Sequence, residues 1–221
     1  MATDKSDMSL KVREAAVELF SRQGYDGTSM RDIAKRSNIS VANLYNYTDS
    51  KETLFWTLMK AAVEDLMHEQ REALSHETCS AARFVVFAYT HAKHHTTHAR
   101  EVVRLGNTPM ESLSPDRADK VRAVRDEYEG MFRAVIGEGL KDDFLKTDHY
   151  VLANRAILQM GVGISLWFHP EEVLTSESVA NVYAAFAMAI VGYDSDAHDR
   201  TCAAGTECVA ATTWMKWAPG R

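Results

Sequence analysis

The chain has 221 residues, 46% of them apolar and 25% charged, with 4 prolines, 11 glycines and a formal net charge of −6. That composition excludes a disordered chain, the size supports a core without a covalent staple, and the acidic balance excludes a generally basic nucleic-acid coat. Three cysteines (Cys79, Cys202, Cys208) are too few for a disulfide framework, no apolar leader follows Asp4, Lys5 and Asp7, and the uncharged runs at 156–170 and 178–193 are shorter than the roughly 20 residues that span a bilayer, so a reduced, soluble, cytoplasmic protein is expected.

Met8, Val12, Ala15, Ala16, Leu19 and Phe20 recur on one face of a first helix, which stops at Gly24. Thr28 offers an N-cap oxygen for a short second helix with Met30, Ile33 and Ala34 inward, and Asp32 suits its first turn. A break at Ser37-Asn38 leads to a third helix capped by Ser40, with Leu44 and Tyr45 inward. Thr48-Asp49-Ser50 breaks again, and a long amphipathic helix follows, with Leu54, Phe55, Leu58, Met59, Ala62 and Leu66 on its buried face. Further helices are expected over about 79–98, 100–107, 115–140, 148–168 and 175–192, with ends marked by Gly106-Asn107, Pro109, Pro115, Pro170 and Thr175. No period-2 strand pattern appears, and the stretch from Asp194, with Trp214 and Trp217, has no assigned structure. The fold class is all-α: a helix-turn-helix domain over 1–55, a helical ligand-binding and dimerisation domain over 56–193, and a tail over 194–221.

Two short helices joined by a three-residue break have the spacing of a helix-turn-helix, whose second helix enters the major groove. Val41 does not share the face of Leu44, and an apolar β-branched group left outside suits a thymine methyl. Ala42 permits close approach, Asn43 and Asn46 can pair with adenine edges, and Tyr45 and Tyr47 carry hydroxyls suited to phosphate oxygens. Arg31, Lys35, Arg36 and Lys51 outnumber Asp32 and Asp49 in this window, within residues 1–55 that hold eight Lys/Arg and eight Asp/Glu. Three packed helices with a solvated face, as in a helical interaction protein without DNA binding, would carry the same periodicity.

The ordered set Val12-Arg13, Ala15-Ala16, Leu19-Phe20, Gly24-Tyr25, Thr28-Ser29, Ile33-Ala34, Ile39-Ser40, Leu44-Tyr45 and Ser50-Lys51-Glu52 with Leu54 resembles the DNA-binding domain of the TetR family of bacterial transcriptional regulators. The resemblance implies a homodimeric repressor on a palindromic operator, released when a small molecule enters the helical domain. Carried over to matching positions, DNA contacts fall on Thr28, Ser29, Ser40, Val41, Ala42, Asn43, Tyr45, Asn46, Tyr47 and Lys51, with Thr28 and Lys51 on phosphates. Two positions depart from the family pattern: Thr48 replaces a Phe, which weakens packing under the third helix, and Asn38 replaces a Gly, which still permits a left-handed turn.

Asn154-Arg155, Gly161, Trp167 and Pro170, followed by Leu174-Thr175 and a helix ending at Gly192, resemble the last two helices of regulators in the branch that senses acyl-CoA thioesters in fatty-acid and sterol degradation. These helices would build the dimer, with Gly161, Ala184, Ala185 and Met188 at the interface and Gly163 and Ala187 as further small residues. Packing within one chain is the alternative for these small residues. Candidate ligand contacts are Phe87, His91, Arg104, Tyr128, Phe132, Arg155, Gln159 and Trp167: aromatics for an apolar chain, an arginine for an anion. Met59, Met131 and Met160 could make the cavity adaptable. His91, His95 and His98 share one helical face, as pocket-lining groups or, alternatively, as a metal face; an aromatic or drug-like effector is the other option. Asp65-x-x-His68 is half of a di-iron pattern with no second half, and no phosphate loop or nucleophile elbow appears, so neither an enzyme nor any catalytic, metal or cofactor site is assigned. The partners expected are operator DNA, a small-molecule effector and a second copy of the chain, with no membrane.

Overall fold

The computed structural model describes residues 2–97, 113–169, 174–201 and 208–209. Among these the chain is all-α, as the periodicity predicts, with nine helices: α1 (Ala2–Gln23), α2 (Met30–Arg36), α3 (Val41–Leu44), α4 (Lys51–Ser75), α5 (Ser80–Thr97), α6 (Pro115–Lys141), α7 (Tyr150–Trp167), α8 (Ser176–Ile190) and α9 (Ser195–Thr201). None of the described helices is long and apolar enough to cross a membrane. The helix expected over 100–107, together with His98, Arg104, Pro109, Pro170, Cys202, Trp214 and Trp217, lies outside the described residues.

Two compact units divide the described residues, one within 1–64 and 99–125, the other within 65–98 and 126–221. In the first, α1 turns Val12, Ala15, Ala16 and Phe20 inward. It ends at Gly24, whose φ of +76° is a left-handed conformation that a side chain disfavours. The cap of α2 differs from expectation. Ser29, not Thr28, caps it: Ser29 Oγ accepts from the Asp32 amide at 3.2 Å, and Asp32 Oδ2 accepts from the Ser29 amide at 2.9 Å. Thr28 is buried because its hydroxyl donates to the Gly24 carbonyl at 2.8 Å, just past the end of α1.

Asn38 holds the turn after α2 with φ +57°. The Ile39 amide donates to Ala34 O at 2.9 Å and the Asn38 amide to Lys35 O at 3.2 Å, a Schellman closure that satisfies two end carbonyls of α2. The helix α3 is a single turn, shorter than expected, continued by looser turn bonds from Asn46 to Asn43 and from Tyr47 to Leu44. Ser50 caps α4, its Oγ accepting from the Thr53 amide at 3.0 Å. Phe20, Ile33, Leu44, Phe55 and Met59 meet in one core with Leu113, Ala118 and Val121 of the second segment. Thr48 is buried, with its hydroxyl donated to the Ser50 carbonyl at 3.1 Å, so a local bond stands where the family has an aromatic.

In the second unit α5 packs along α7 and α8. A capping box between Thr175 and Ser178 starts α8, and a second Schellman closure at Gly192 and Tyr193 ends it. The strip 144–146 then bonds to 191–194, through Lys146 N to Val191 O at 2.9 Å and Asp194 N to Phe144 O at 2.8 Å. Asp194 caps α9 by accepting from the Ala197 amide at 3.0 Å, so the stretch that begins at Asp194 is structured at its start.

Candidate functional site

The first unit offers a short polar surface. Ser29, Ser40, Ala42, Asn43, Tyr45 and Asn46 are exposed. Ser40 Oγ accepts from the Asn43 amide at 3.1 Å, and Asn46 Nδ2 donates to Asn43 Oδ1 at 3.1 Å. The two amides are thus aligned side by side, leaving Asn43 Nδ2 and Asn46 Oδ1 as the donor and acceptor they present outward. Ser29 holds the Asp32 carboxyl below the usual carboxylate range by side-chain and backbone hydrogen bonds.

Five of the expected DNA contacts are placed differently. Tyr45, expected inward, is half exposed because α3 ends before it. Val41 and Tyr47 are only partly open and lean on the core, so Val41 is not the fully outward apolar group the periodicity suggested. Thr28 is turned inward as described. Lys51 folds back: its Nζ donates to the Tyr25 carbonyl at 2.9 Å and lies 4.0 Å from the centre of the Tyr25 ring. Arg36 pairs with Glu18 at 2.5 Å. Arg31 and Lys35 are exposed. The Tyr25 role was missed because a tyrosine in a turn is unremarkable until the start of α4 is known to cover it.

The second unit brings four of the eight expected ligand contacts together. Phe87 and Phe132 stack with centroids 4.4 Å apart, and Phe87 lies 5.6 Å from Tyr128. His91 Nε2 bonds to the Leu158 carbonyl at 3.0 Å, which only accepts, so Nε2 carries the proton. His91 Nδ1 then accepts from the Tyr128 hydroxyl at 2.7 Å, and Gln70 Nε2 donates to the Tyr128 oxygen at 3.2 Å and to the Phe87 carbonyl at 3.1 Å. Burial pushes the His91 pKa down to about 4 and that of Tyr128 up, so both are neutral at pH 7. Gly161 makes this possible, since a Cβ there would lie 2.3 Å from the His91 ring. Among the described residues, Gln70 Oε1 and Asn154 Oδ1 are buried acceptors with no hydrogen-bond partner.

The remaining expectations are corrected. Arg155, Gln159 and Trp167 lie on the exposed face of α7, away from the aromatic cluster. With both nitrogens bonded, His91 is not available to the alternative metal face; His94 Nδ1 pairs with Glu69 Oε2 at 2.9 Å, and His95 meets His91 edge to face at 4.6 Å. Ala184, Ala185 and Met188 are fully buried within the chain and Gly161 contacts His91, so none of the four residues expected at a dimer interface is on the surface. The surface of α7 and α8 instead exposes Leu152, Leu166 and Trp167 with Val182, Phe186 and Ile190. Small residues at helical spacing suit close packing on either side of a helix, and only the tertiary contacts tell which.

A groove of about 370 Å³, lined by Arg71, Leu74, Arg83, Met131, Val135 and Glu138, was not expected. Leu74, Arg83 and Val135 stand one helical turn from Gln70, Phe87 and Phe132 on α4, α5 and α6, so the groove opens one turn from the aromatic cluster. Its arginines face carboxylates, Arg71 to Glu127 at 2.7 Å and Arg83 to Glu138 at 2.8 Å.

Known proteins match both units. Residues 12–56 match the model of bacterial regulatory proteins of the tetR family, and residues 77–191, over half of the chain, match that of the tetracyclin repressor-like C-terminal domain. The HTH-type transcriptional repressor KstR2 of Rhodococcus jostii is 23% identical over 83% of this chain and 91% of its own length. A tetR-family regulatory protein from Rhodococcus RHA1 superposes with a TM-score of 0.78 at 23% identity, over 85% of this chain and 98% of that one. AibR, solved with isovaleryl coenzyme A and operator DNA, superposes with a TM-score of 0.75 at 18% identity, over 85% of this chain and all (100%) of its own.

Proposed function

We propose a function from one premise: this chain belongs to the TetR family of bacterial regulatory proteins. It is a DNA-binding transcriptional regulator, and in our reading a cytoplasmic, homodimeric repressor that leaves its operator when an acyl-CoA binds the helical unit. The observation that carries this reading is the pairing of a preformed outward amide surface, Asn43 with Asn46, with a buried aromatic core that has polar handles. Asn43 and Asn46 meet adenine edges, Ala42 allows the approach, and Ser29, Ser40 and Tyr45 hold phosphates. The start of α4 presents backbone amides to a phosphate, while the Lys51 side chain stays on Tyr25. The second copy docks on the apolar strip of Leu152, Leu166, Phe186 and Ile190.

The effector's apolar chain lies beside Phe87 and Phe132, and its anionic part displaces a carboxylate from Arg71 or Arg83 at the groove. Two similar proteins support this class: KstR2 of Mycobacterium tuberculosis is a ketosteroid transcriptional regulator, and AibR was solved with isovaleryl coenzyme A. An aromatic effector without a coenzyme is the second reading, favoured by the stacked Phe87 and Phe132.

Fluorescence anisotropy of a labelled fragment from upstream of the protein's own gene tests the reading. Binding should weaken steeply with salt, as phosphate contacts release counterions. Release by a long-chain or sterol-derived acyl-CoA, with the free acid inert, is the expected result. Tight binding that no acyl-CoA relieves, but that an aromatic compound does, would replace the first reading with the second.

A further inference from the structure

Three side chains far apart in sequence meet in the second unit. Cys79, His198 and Cys208 place their ligand atoms within 4.8 Å of one another. Cys79 Sγ lies 3.7 Å from His198 Nε2 and 3.8 Å from Cys208 Sγ, across 119 and 129 residues of sequence. Zinc bonds of about 2.3 Å to sulfur and about 2.0–2.1 Å to nitrogen give a tetrahedron edges of about 3.8 Å between sulfurs and about 3.6 Å between sulfur and nitrogen. The 3.7 and 3.8 Å edges match those values, and the third, from His198 to Cys208, is within 4.8 Å.

Two of the three ligands are held by helices. Cys79 O accepts from the Arg83 amide at 2.9 Å, which places Cys79 at the N-terminal end of α5. His198 rides on α9, which Asp194 caps and the Phe144 carbonyl anchors. The carboxylate of Asp199 lies 3.6 Å from His198 Nδ1, beyond hydrogen-bond distance, and adds negative charge beside the imidazole. Cys208 and His198 are buried, and Cys79 is partly open.

We propose that Cys79, His198 and Cys208 form a binding site for a borderline-soft divalent cation, Zn2+, with the fourth position taken by solvent. The ion clips the start of α5 to α9 and to Cys208, across 119 and 129 residues of sequence from Cys79. This site lies within the second unit and shares no residue with the aromatic cluster.

Full-length protein, kept reduced with a phosphine and stripped of metal, is titrated with Co2+ as the spectroscopic stand-in and then with Zn2+. We expect one Co2+ per chain, a thiolate-to-cobalt charge-transfer band, the intense visible bands of four-coordinate geometry, and displacement by Zn2+ mole for mole. Changes outside the ligand shell already cost roughly 10–100-fold in affinity, so Cys79→Ser and Cys208→Ser should each weaken uptake by at least about 100-fold while circular dichroism keeps its helical signal. Reduced wild-type protein that takes up no Co2+ overturns the proposal without recourse to any variant. Bands that persist when both cysteines are replaced overturn it too, by moving the ion elsewhere. A Cys79–Cys208 disulfide found by peptide mapping, with no uptake after its reduction, would replace the metal with a redox pair.

Discussion

The two units of this chain manage their polar groups in opposite ways. In the first unit the polar groups proposed to meet DNA are exposed and set by bonds across three residues, Ser29 with Asp32, Ser40 with Asn43, and Asn43 with Asn46. In the helical unit they are buried and tied across 17, 37, 58 and 67 residues, through Gln70, His91, Tyr128 and the Phe87 and Leu158 carbonyls. Local bonds orient a surface without needing a core, so the reading surface tolerates single losses. A buried network has no water to fall back on, so each of its members is tied to the stability of the whole unit.

The sharpest way to break this contrast is inside the aromatic cluster. Phe132→Ala should cost about 3–5 kcal/mol of stability, read as a lower midpoint in denaturant, because Phe132 is fully buried and stacked on Phe87. An effect under about 1 kcal/mol would mean that the cluster repacks around the lost ring.

Next in size is the acid response. The folded pKa of His91 is depressed to about 4 from an ordinary 6.5, so below pH 6.5 the unfolded chain binds a proton that the folded one refuses. The contribution of His91 is therefore fully present above pH 6.5 and is lost as pH falls towards 4, by about 3 kcal/mol in all. Thermal unfolding between pH 7 and 4 should show a shallower acid slope in His91→Gln than in the wild type, and equal slopes would remove His91 from the buried network.

The reading surface should answer in affinity instead. Asn43→Ala and Asn46→Ala should each cost about 1–3 kcal/mol of operator binding and relax discrimination at one base pair, with unchanged thermal stability. A uniform loss across all sequences, operator and random alike, would recast these amides as phosphate contacts. The smallest effect belongs to a cap: Ser29→Ala should lower stability by about 1 kcal/mol, since Asp32 keeps only half of its reciprocal pair with Ser29. A larger loss would mean that the first unit depends on that turn more than its local bonds suggest.

The same contrast explains what could be read in advance. The left-handed turn at Asn38, the cap at Ser40, the buried Leu44 and the long helix after Ser50 follow from side chains acting on backbone within four residues, and each stands where the sequence puts it. Thr28 and Ser29 are adjacent hydroxyls with equal claim to the cap, and the turn at Gly24 decides between them. Lys51 reads as a free cation until Tyr25, 26 residues earlier, is brought beneath it.

In the helical unit the periodicity identifies which residues are apolar but not which neighbour they meet. Of the expected ligand contacts, Phe87, His91, Tyr128 and Phe132 meet in one cluster, whereas Arg155, Gln159 and Trp167 face outward. Gly161, Ala184, Ala185 and Met188 satisfy either side of a helix equally well by size alone. The arginines of the groove and the sulfurs of Cys79 and Cys208 carry no local pattern at all.

By itself, then, the sequence determined the all-α class, the order of the helices and the reading turn, because caps, left-handed turns and a 3.6-residue apolar period are properties of short stretches of chain. Only the tertiary structure decided which face of α7 and α8 is open, how His91 is protonated, and that Cys79 meets His198 and Cys208. Those outcomes depend on contacts between residues tens to more than a hundred positions apart, and nothing local encodes which distant side chain fills a given space.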